Sequence, residues 1–287
     1  MKPAPFRYVD PRDLDEALAA LAEHADDAAI LAGGQSLLPL MNLRLAQPEV
    51  VVDINRVRGL DGIEVGRDEI RIGALARASA VERHGELRSV LPVMAQALRQ
   101  VAHPQIRNRT TIGGSVAHAD PAAELPGLLA ALDGTITVRS TQRERTVGWE
   151  EFFLGPLTTA REPQEMVISV GIPVRPRLHA TLLEVARRLG DFALVGACVA
   201  LSVDDGVVDG ARVVLFGVAG VPVRVREAEE VLAGRPVDDR ALADVRRTVA
   251  GALDPIEDVH ASAEYRRHVG GAVVARAVHS LWDRAAA

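Results

Sequence analysis

Ala32-Gly33-Gly34-Gln35-Ser36-Leu37-Leu38-Pro39-Leu40 is the stretch on which the fold turns. It leaves a short apolar run, Ala29–Ala32, that reads as a strand, and it enters a further apolar segment. Adjacent glycines permit positive φ and remove two Cβ atoms, so successive backbone N–H groups can curve into a nest around an anion. Gln35 and Ser36 add side-chain donors, and no cation follows until Arg44. That suits a diphosphate held by neutral donors; a plain tight turn between strand and helix is the alternative. A second stretch repeats the chemistry: Thr110-Thr111-Ile112-Gly113-Gly114-Ser115-Val116-Ala117-His118-Ala119-Asp120, after Gln105-Ile106-Arg107-Asn108-Arg109. Thr111, Ser115 and the amides of Gly113 and Gly114 are candidate donors, and Asp120 and Glu124 are candidate acceptors for hydroxyl groups. Two nests from distant segments can clamp one extended diphosphate, with Gly33 and Gly113 admitting the backbone to the ligand. The chain contains no G-x-G at all, so a dinucleotide bound here is not held by a Rossmann turn.

Outward from these motifs the pattern is mixed. Leu14, Ala17, Leu18 and Leu21 have helical spacing behind Asp13, which with Glu16 makes a capping box. Strands are expected over Val50–Ile54, Glu69–Leu75, Thr135–Arg139 and Met166–Ile172. One helix is expected over Arg88–Val101, with Pro92 in its first turn. Pro173 and Pro176 bound a linker. Beyond it, Leu194–Val203 and Val207–Val218 flank Asp204-Asp205-Gly206 as a hairpin. Helices over Arg224–Ala233, Asp238–Ala252 and Ser262–Arg284 complete the chain. Gly270-Gly271 inside the last either permits close packing or breaks it. Without steady β-α alternation the class is α+β, in two domains, 1–175 and 176–287.

Composition narrows the function. The net charge is −6 and aromatics are 3% of residues, with no Lys/Arg cluster interleaved with them, which argues against nucleic-acid binding. No apolar run approaches the ~18 residues of a membrane helix, and Met1–Asp10 does not read as a signal peptide, so a cytoplasmic location is expected. Cys198 is the only cysteine. One thiol can neither close an internal disulfide nor hold an iron–sulfur cluster, which takes about four ligands. No metal-ligand set and no nucleophile-base motif stands out, so no catalytic residue is assigned. His103 and His118 are read as hydrogen-bonding residues of the second loop. Arg107 and Arg109 either position that loop or face solvent or a partner.

Taken together, Ala32-Gly33-Gly34-Gln35-Ser36-Leu37-Leu38-Pro39 and Thr111-Ile112-Gly113-Gly114-Ser115 resemble the FAD-binding medium subunit of molybdenum hydroxylases. The resemblance extends through Phe6-Arg7-Tyr8, Val52-Asp53-Ile54-Asn55 and Arg188-Leu189-Gly190-Asp191-Phe192-Ala193. It implies a vanillyl-alcohol-oxidase-like FAD domain of two subdomains, about 1–57 and 58–175, and a smaller C-terminal α/β domain. By position it implies pyrophosphate contacts from Ala32, Gly33, Gly34, Gln35 and Ser36 with neighbouring Leu38. The second set is Thr111, Ile112, Gly113, Gly114 and Ser115 with Ala117. Glu124 would meet the ribityl region, Asp120 either touches the cofactor or caps its own loop, Val101 and Ala102 would lie along the flavin, and Asp191 with Phe192 would approach it from the second domain. Gln35 stands where carbon monoxide-oxidising members carry His, and Ser115 where many relatives carry Asn or Asp.

The implied role is electron transfer within a heterotrimer. A large partner would hold the molybdenum cofactor and a small one two [2Fe–2S] clusters, the whole a dimer of heterotrimers serving an external acceptor. Membrane association, if any, would come through partners. Two other readings are a self-contained FAD reductase or oxidase of the same fold and a scaffold that has lost FAD.

Overall fold

The computed structural model describes residues 1–285. Arg7–Val9 and Ala28–Leu31 flank Val50–Asp53 in a parallel three-stranded sheet. Strands this short need cover, and helix Leu14–His24 supplies it by burying Ala17, Leu18 and Leu21. The Asp13 carboxylate accepts from the Glu16 amide at 2.9 Å, and the Glu16 carboxylate accepts from the Arg12 amide at 2.8 Å. The reciprocal cap thus closes one residue earlier than in the usual box.

A five-stranded antiparallel sheet follows, in the order Ile63–Val65, Glu69–Gly73, Met166–Pro173, Thr135–Arg139, Glu144–Gly148. Its central strand is buried from Met166 to Ile172, so it is apolar but for Ser169 and lacks the polar alternation of a half-exposed strand. The helix expected over Arg88–Val101 is instead two helices, Gly85–Val90 and Pro92–Gln100. Leu91 between them sits at φ −135°, ψ 68°. The cause is local: a proline ring disfavours the helical conformation in the residue before it, while its own fixed φ suits a first helical position.

The last sheet is antiparallel, in the order His179–Val185, Val195–Asp204, Val207–Phe216, Val223–Arg224. Its main hairpin turns at Asp205 (φ 47°) and Gly206 (φ 74°), the two positive φ values of a type I′ turn. Helices Arg226–Leu232, Asp239–Ala252 and Ala263–Ala285 share its second core. On the other side the sheet meets helix Glu124–Ala131 through Phe216. A Cβ on Gly127 would lie 2.6 Å from that ring, and one on Gly196 would be closer still, so both glycines make room for it. Gln96 crosses the same seam, donating to the Leu182 carbonyl (2.8 Å) and the Thr181 hydroxyl (3.1 Å). Asp133 pairs with Arg175, Arg212 and Arg224 at 2.7–3.4 Å. These contacts hold this last sheet in one position against helices Pro92–Gln100 and Glu124–Ala131, which fixes the gap described below.

Helix Ala263–Ala285 runs unbroken through Gly270-Gly271, so the pair serves close packing. A Cβ on Gly271 would lie 2.4 Å from the Arg246 carbonyl oxygen, whereas one on Gly270 would first meet a movable Leu253 methyl at 2.8 Å. Alanine gains about 1 kcal/mol of helix propensity over glycine, and overpacking against backbone costs about 1–3 kcal/mol. Gly271→Ala is therefore expected to lower the urea midpoint and Gly270→Ala to leave it near the wild-type value.

Candidate functional site

The first glycine stretch leaves its strand at Leu31 and does not re-enter regular structure until Leu37. Among the described residues, the backbone N–H groups of Gly33, Gly34, Gln35, Ser36 and Leu37 donate to no protein acceptor. Gly34 adopts φ 75°, which lets the chain turn there without strain. Gln35 reaches back to the Gly33 carbonyl at 3.2 Å. An array of spare donors at the edge of a cavity is what an anion site requires.

The second stretch differs from its sequence reading. It is not a loop nest but the first turns of helix Ile112–His118, capped by Thr111, whose hydroxyl accepts from the Gly114 amide at 3.1 Å. The Ile112 amide donates to Ala76, the Gly113 amide to Ala74 and the Ser115 amide to Thr111. The amides expected to face a ligand are thus already bonded. What this element offers a ligand is its side chains and the positive end of a short helix.

These two elements, with the seam between the domains, enclose a cavity of about 490 Å³. Ala32, Gly33, Gly34, Gln35 and Ser36 line it on one side, and Thr111, Gly113, Gly114, Ser115 and Ala117 line it on another. Val101 and Ala102 form a corner of the wall. Arg107 holds that corner by donating to both carbonyls at 3.0 Å and pairing with Glu82, so it positions the loop rather than standing in solvent. Gly190 (φ 85°) packs on the same corner, where a Cβ would lie 2.8 Å from the Ala102 carbonyl oxygen. The turn at Gly190 brings Asp191 and Phe192 to the lining. Phe192 is 70% exposed, so it is a lip residue and not part of the core.

Two residues expected at the site lie outside the lining. Ile112 is fully buried in the core beneath the second sheet, because the helical turn rotates it away from Ser115. Leu38 folds back against Gly34 and is otherwise exposed. His103 is exposed and away from the cavity, whereas His118 lines it.

Asp120 does both things open to it: its carboxylate accepts from the Ala122 amide at 2.9 Å and it still lines the cavity. Glu124 opens helix Glu124–Ala131 and is only 8% exposed. Burial pushes its carboxyl up to about 8, with negative charge on Glu184 and Asp120 adding to the effect. Burial likewise pushes Glu184 up to about 7, and one of its oxygens is buried without a partner.

Sequence reasoning missed Arg161, the one Lys or Arg in the lining among the described residues. It is anchored on the Glu162, Pro163 and Glu165 carbonyls, and burial holds it below the usual guanidinium range. Also missed were the apolar contributors Ala28, Ala29 and Ile30 from the first sheet and Met166 and Val167 from the second. Their signal in the sequence is that of ordinary strands. Nothing local reveals that the ends of two different sheets meet here.

Residues 4–175 match the FAD binding domain in molybdopterin dehydrogenase, and residues 180–281 match the CO dehydrogenase flavoprotein C-terminal domain. The chain belongs to the FAD-binding subunit family of these dehydrogenases. The caffeine dehydrogenase subunit beta of a Pseudomonas species is 41% identical over 286 residues, covering 99% of this chain and 97% of that one. The matching chain of quinoline 2-oxidoreductase from Pseudomonas putida superposes with a TM-score of 0.96 at 35% identity, over 99% of both chains. That of carbon monoxide dehydrogenase from Hydrogenophaga pseudoflava superposes with a TM-score of 0.95 at 34% identity, again over 99% of both. This flavoprotein subunit is thus a component of an oxidoreductase, and its cofactor is FAD. The cavity suits that group chemically. Spare amides and one cation answer a diphosphate, the Asp120 and Glu124 carboxyls answer polyol hydroxyls, and strand-end alanines, Ile30 and Met166 offer apolar walls to ring systems.

Proposed function

We propose that this subunit carries electrons between an iron–sulfur partner and an external acceptor within a heterotrimeric molybdenum hydroxylase. The observation that carries the proposal is a cavity edged by spare backbone amides, with a cation, acidic side chains and apolar walls that together suit a dinucleotide. When bound, FAD supplies two-electron and one-electron redox chemistry in one group. The residues of this chain bind it, orient it and limit its access to water. Ala32–Ser36 with Thr111, Gly113, Gly114 and Ser115 hold the diphosphate region, Asp120 and Glu124 meet hydroxyls, and Val101, Ala102, Asp191 and Phe192 border the ring. On this reading residues 1–175 hold the cofactor, in subdomains 1–57 and 58–175, and residues 176–287 cover it.

Cys198 is fully buried and burial pushes its thiol up to about 12, so it is not an accessible thiolate ligand. On the family resemblance, two [2Fe–2S] clusters sit on a small partner and the molybdenum cofactor on a large one, in a dimer of heterotrimers. Among the described residues no helix is long and apolar enough to cross a membrane. We place the assembly in the cytoplasm, with any membrane attachment supplied by partners.

Co-expression with the neighbouring genes, followed by flavin, iron and molybdenum analysis, tests this. The expected result is a flavin band near about 450 nm that belongs to this chain, with iron and molybdenum in the complex but none in the isolated subunit. Substrate turnover by the isolated chain would favour a self-contained enzyme. A colourless chain that stays colourless in the complex would favour a scaffold.

A further inference from the structure

Two residues that line no part of the cavity connect the elements that do. Arg77 stands just before helix Ala78–Arg83, and its backbone lies against Thr111 in an isolated antiparallel bridge. Its guanidinium forks. One nitrogen donates to the Arg109 carbonyl at 2.5 Å, immediately upstream of the second glycine element. The other donates to the Asn55 side-chain oxygen, also at 2.5 Å. The Asn55 amide nitrogen in turn donates to the Ala32 carbonyl at 2.7 Å, the first residue of the first glycine stretch. Asn55 is itself oriented by Asp53, which accepts from both its backbone and its side-chain nitrogen. Tyr8 donates to the other Asp53 oxygen at 2.7 Å.

The chain of bonds therefore runs from Ala32 through Asn55 and Arg77 to Arg109. The same Arg109 carbonyl is the atom that approaches Gly33 most closely, where a Cβ would lie 2.5 Å from it. Arg77 thus fixes the oxygen against which the first glycine stretch rests. A planar guanidinium suits this task because its two donors have a fixed separation, which an ammonium does not offer.

We infer that Arg77 and Asn55 are positioning residues that set the spacing between the two cofactor-binding elements, and so set the affinity for the cofactor without touching it. This rests on FAD being the ligand of the cavity. Its consequence is a separation of effects: loosening the clamp leaves the domain folded but removes the preorganisation that binding depends on.

The test is a double-mutant cycle on the full chain, read as the FAD dissociation constant by flavin fluorescence, with the melting temperature of each apo protein measured in parallel. Arg77→Met and Asn55→Ala are each expected to weaken FAD binding about 10- to 100-fold. The double variant is expected to bind no more weakly than the poorer single, because the two changes cut one chain. Arg77→Lys should fall between wild type and Arg77→Met. Gly271→Ala, which crowds the Arg246 carbonyl on helix Asp239–Ala252 and lies outside the cavity lining, serves as the comparison: its melting temperature should fall with FAD affinity nearly unchanged. If Arg77→Met fails to fold, Asn55→Ala and Arg77→Lys still decide. FAD affinity within about twofold of wild type in the folded variants, losses that multiply in the double, or losses that follow apo stability as in Gly271→Ala would each overturn the inference. A wild-type chain that binds no FAD at all would instead overturn the assignment of the ligand.

Discussion

Gly113→Val is expected to cost the apo protein about 3 kcal/mol or more of stability and to lose FAD as a consequence of misfolding, not of a blocked ligand. A Cβ at position 113 would lie 2.4 Å from the Ala74 Cβ and 2.7 Å from its Cα. Backbone cannot rotate aside as a side chain does, so the helix Ile112–His118 would have to lift off the second sheet. That would break the Gly113 bond to Ala74 and strain the Ile112 bond to Ala76. Overpacking commonly costs about 1–3 kcal/mol for added methylene groups, and valine adds three carbons against fixed backbone. Gly33→Val meets the same obstacle at the Arg109 carbonyl. The sequence motif suggests that these glycines admit a ligand; the geometry shows that they admit neighbouring protein backbone. Chemical denaturation of apo protein separates the two accounts. A wild-type urea midpoint together with lost flavin in Gly113→Val would restore the ligand-facing account. Ser115→Ala provides the contrast: its side chain lines the cavity, so it should keep the apo midpoint while weakening FAD about 5- to 10-fold, the value of one hydrogen bond.

How far the residues disclosed this site depends on the range of the interaction. Gly33-Gly34 was legible because positive φ at Gly34 and a strand-loop-helix pattern are local properties, and the free amides follow from them. Gly113-Gly114 looked the same in sequence but lies in a helix. The helix is kept by the Thr111 cap and by docking on Ala74 and Ala76, and the second of these is tertiary and overrides weak local propensity. The break at Leu91 was available from Pro92 alone. Arg161, Met166 and Val167 were not available at all, because their place at the cavity depends on how the second sheet meets the first. The hairpin through Asp205-Gly206 and the cap at Asp13 were legible for the same reason as Gly34, being fixed within a few residues.

Glu124→Gln is expected to flatten the pH dependence of apo-protein stability and to make the variant more stable than wild type at pH 8. The sign follows from proton binding. The folded carboxyl titrates at about 8, above the ordinary 4.5 of the unfolded chain. Between those values the folded state holds a proton that the unfolded state has released, so the wild type loses stability as pH rises through that window. Below pH 4.5 both states are protonated, and the contribution of the neutral acid is fully present. Above about 8 the loss is complete, at roughly 5 kcal/mol by the size of the gap. Glutamine keeps the shape and removes the titration. Glu184 contributes a second, narrower window that closes at about 7, so Glu184→Gln should flatten only the lower part of the profile. The flanking charges are Asp120 and Glu184, both of which oppose ionisation, and Arg161 and Asp191 line the same cavity. Urea midpoints taken stepwise from pH 5 to pH 8.5 provide the measurement, and parallel wild-type and Glu124→Gln profiles would show that Glu124 ionises freely. The chemistry bears on the cofactor as well. A carboxyl kept neutral near pH 7 adds no repulsion to a cavity that receives a diphosphate, and it can donate a hydrogen bond that a carboxylate cannot. FAD affinity in the wild type should therefore decline as Glu124 ionises between pH 7 and pH 9, and the Glu124→Gln variant should lack that decline.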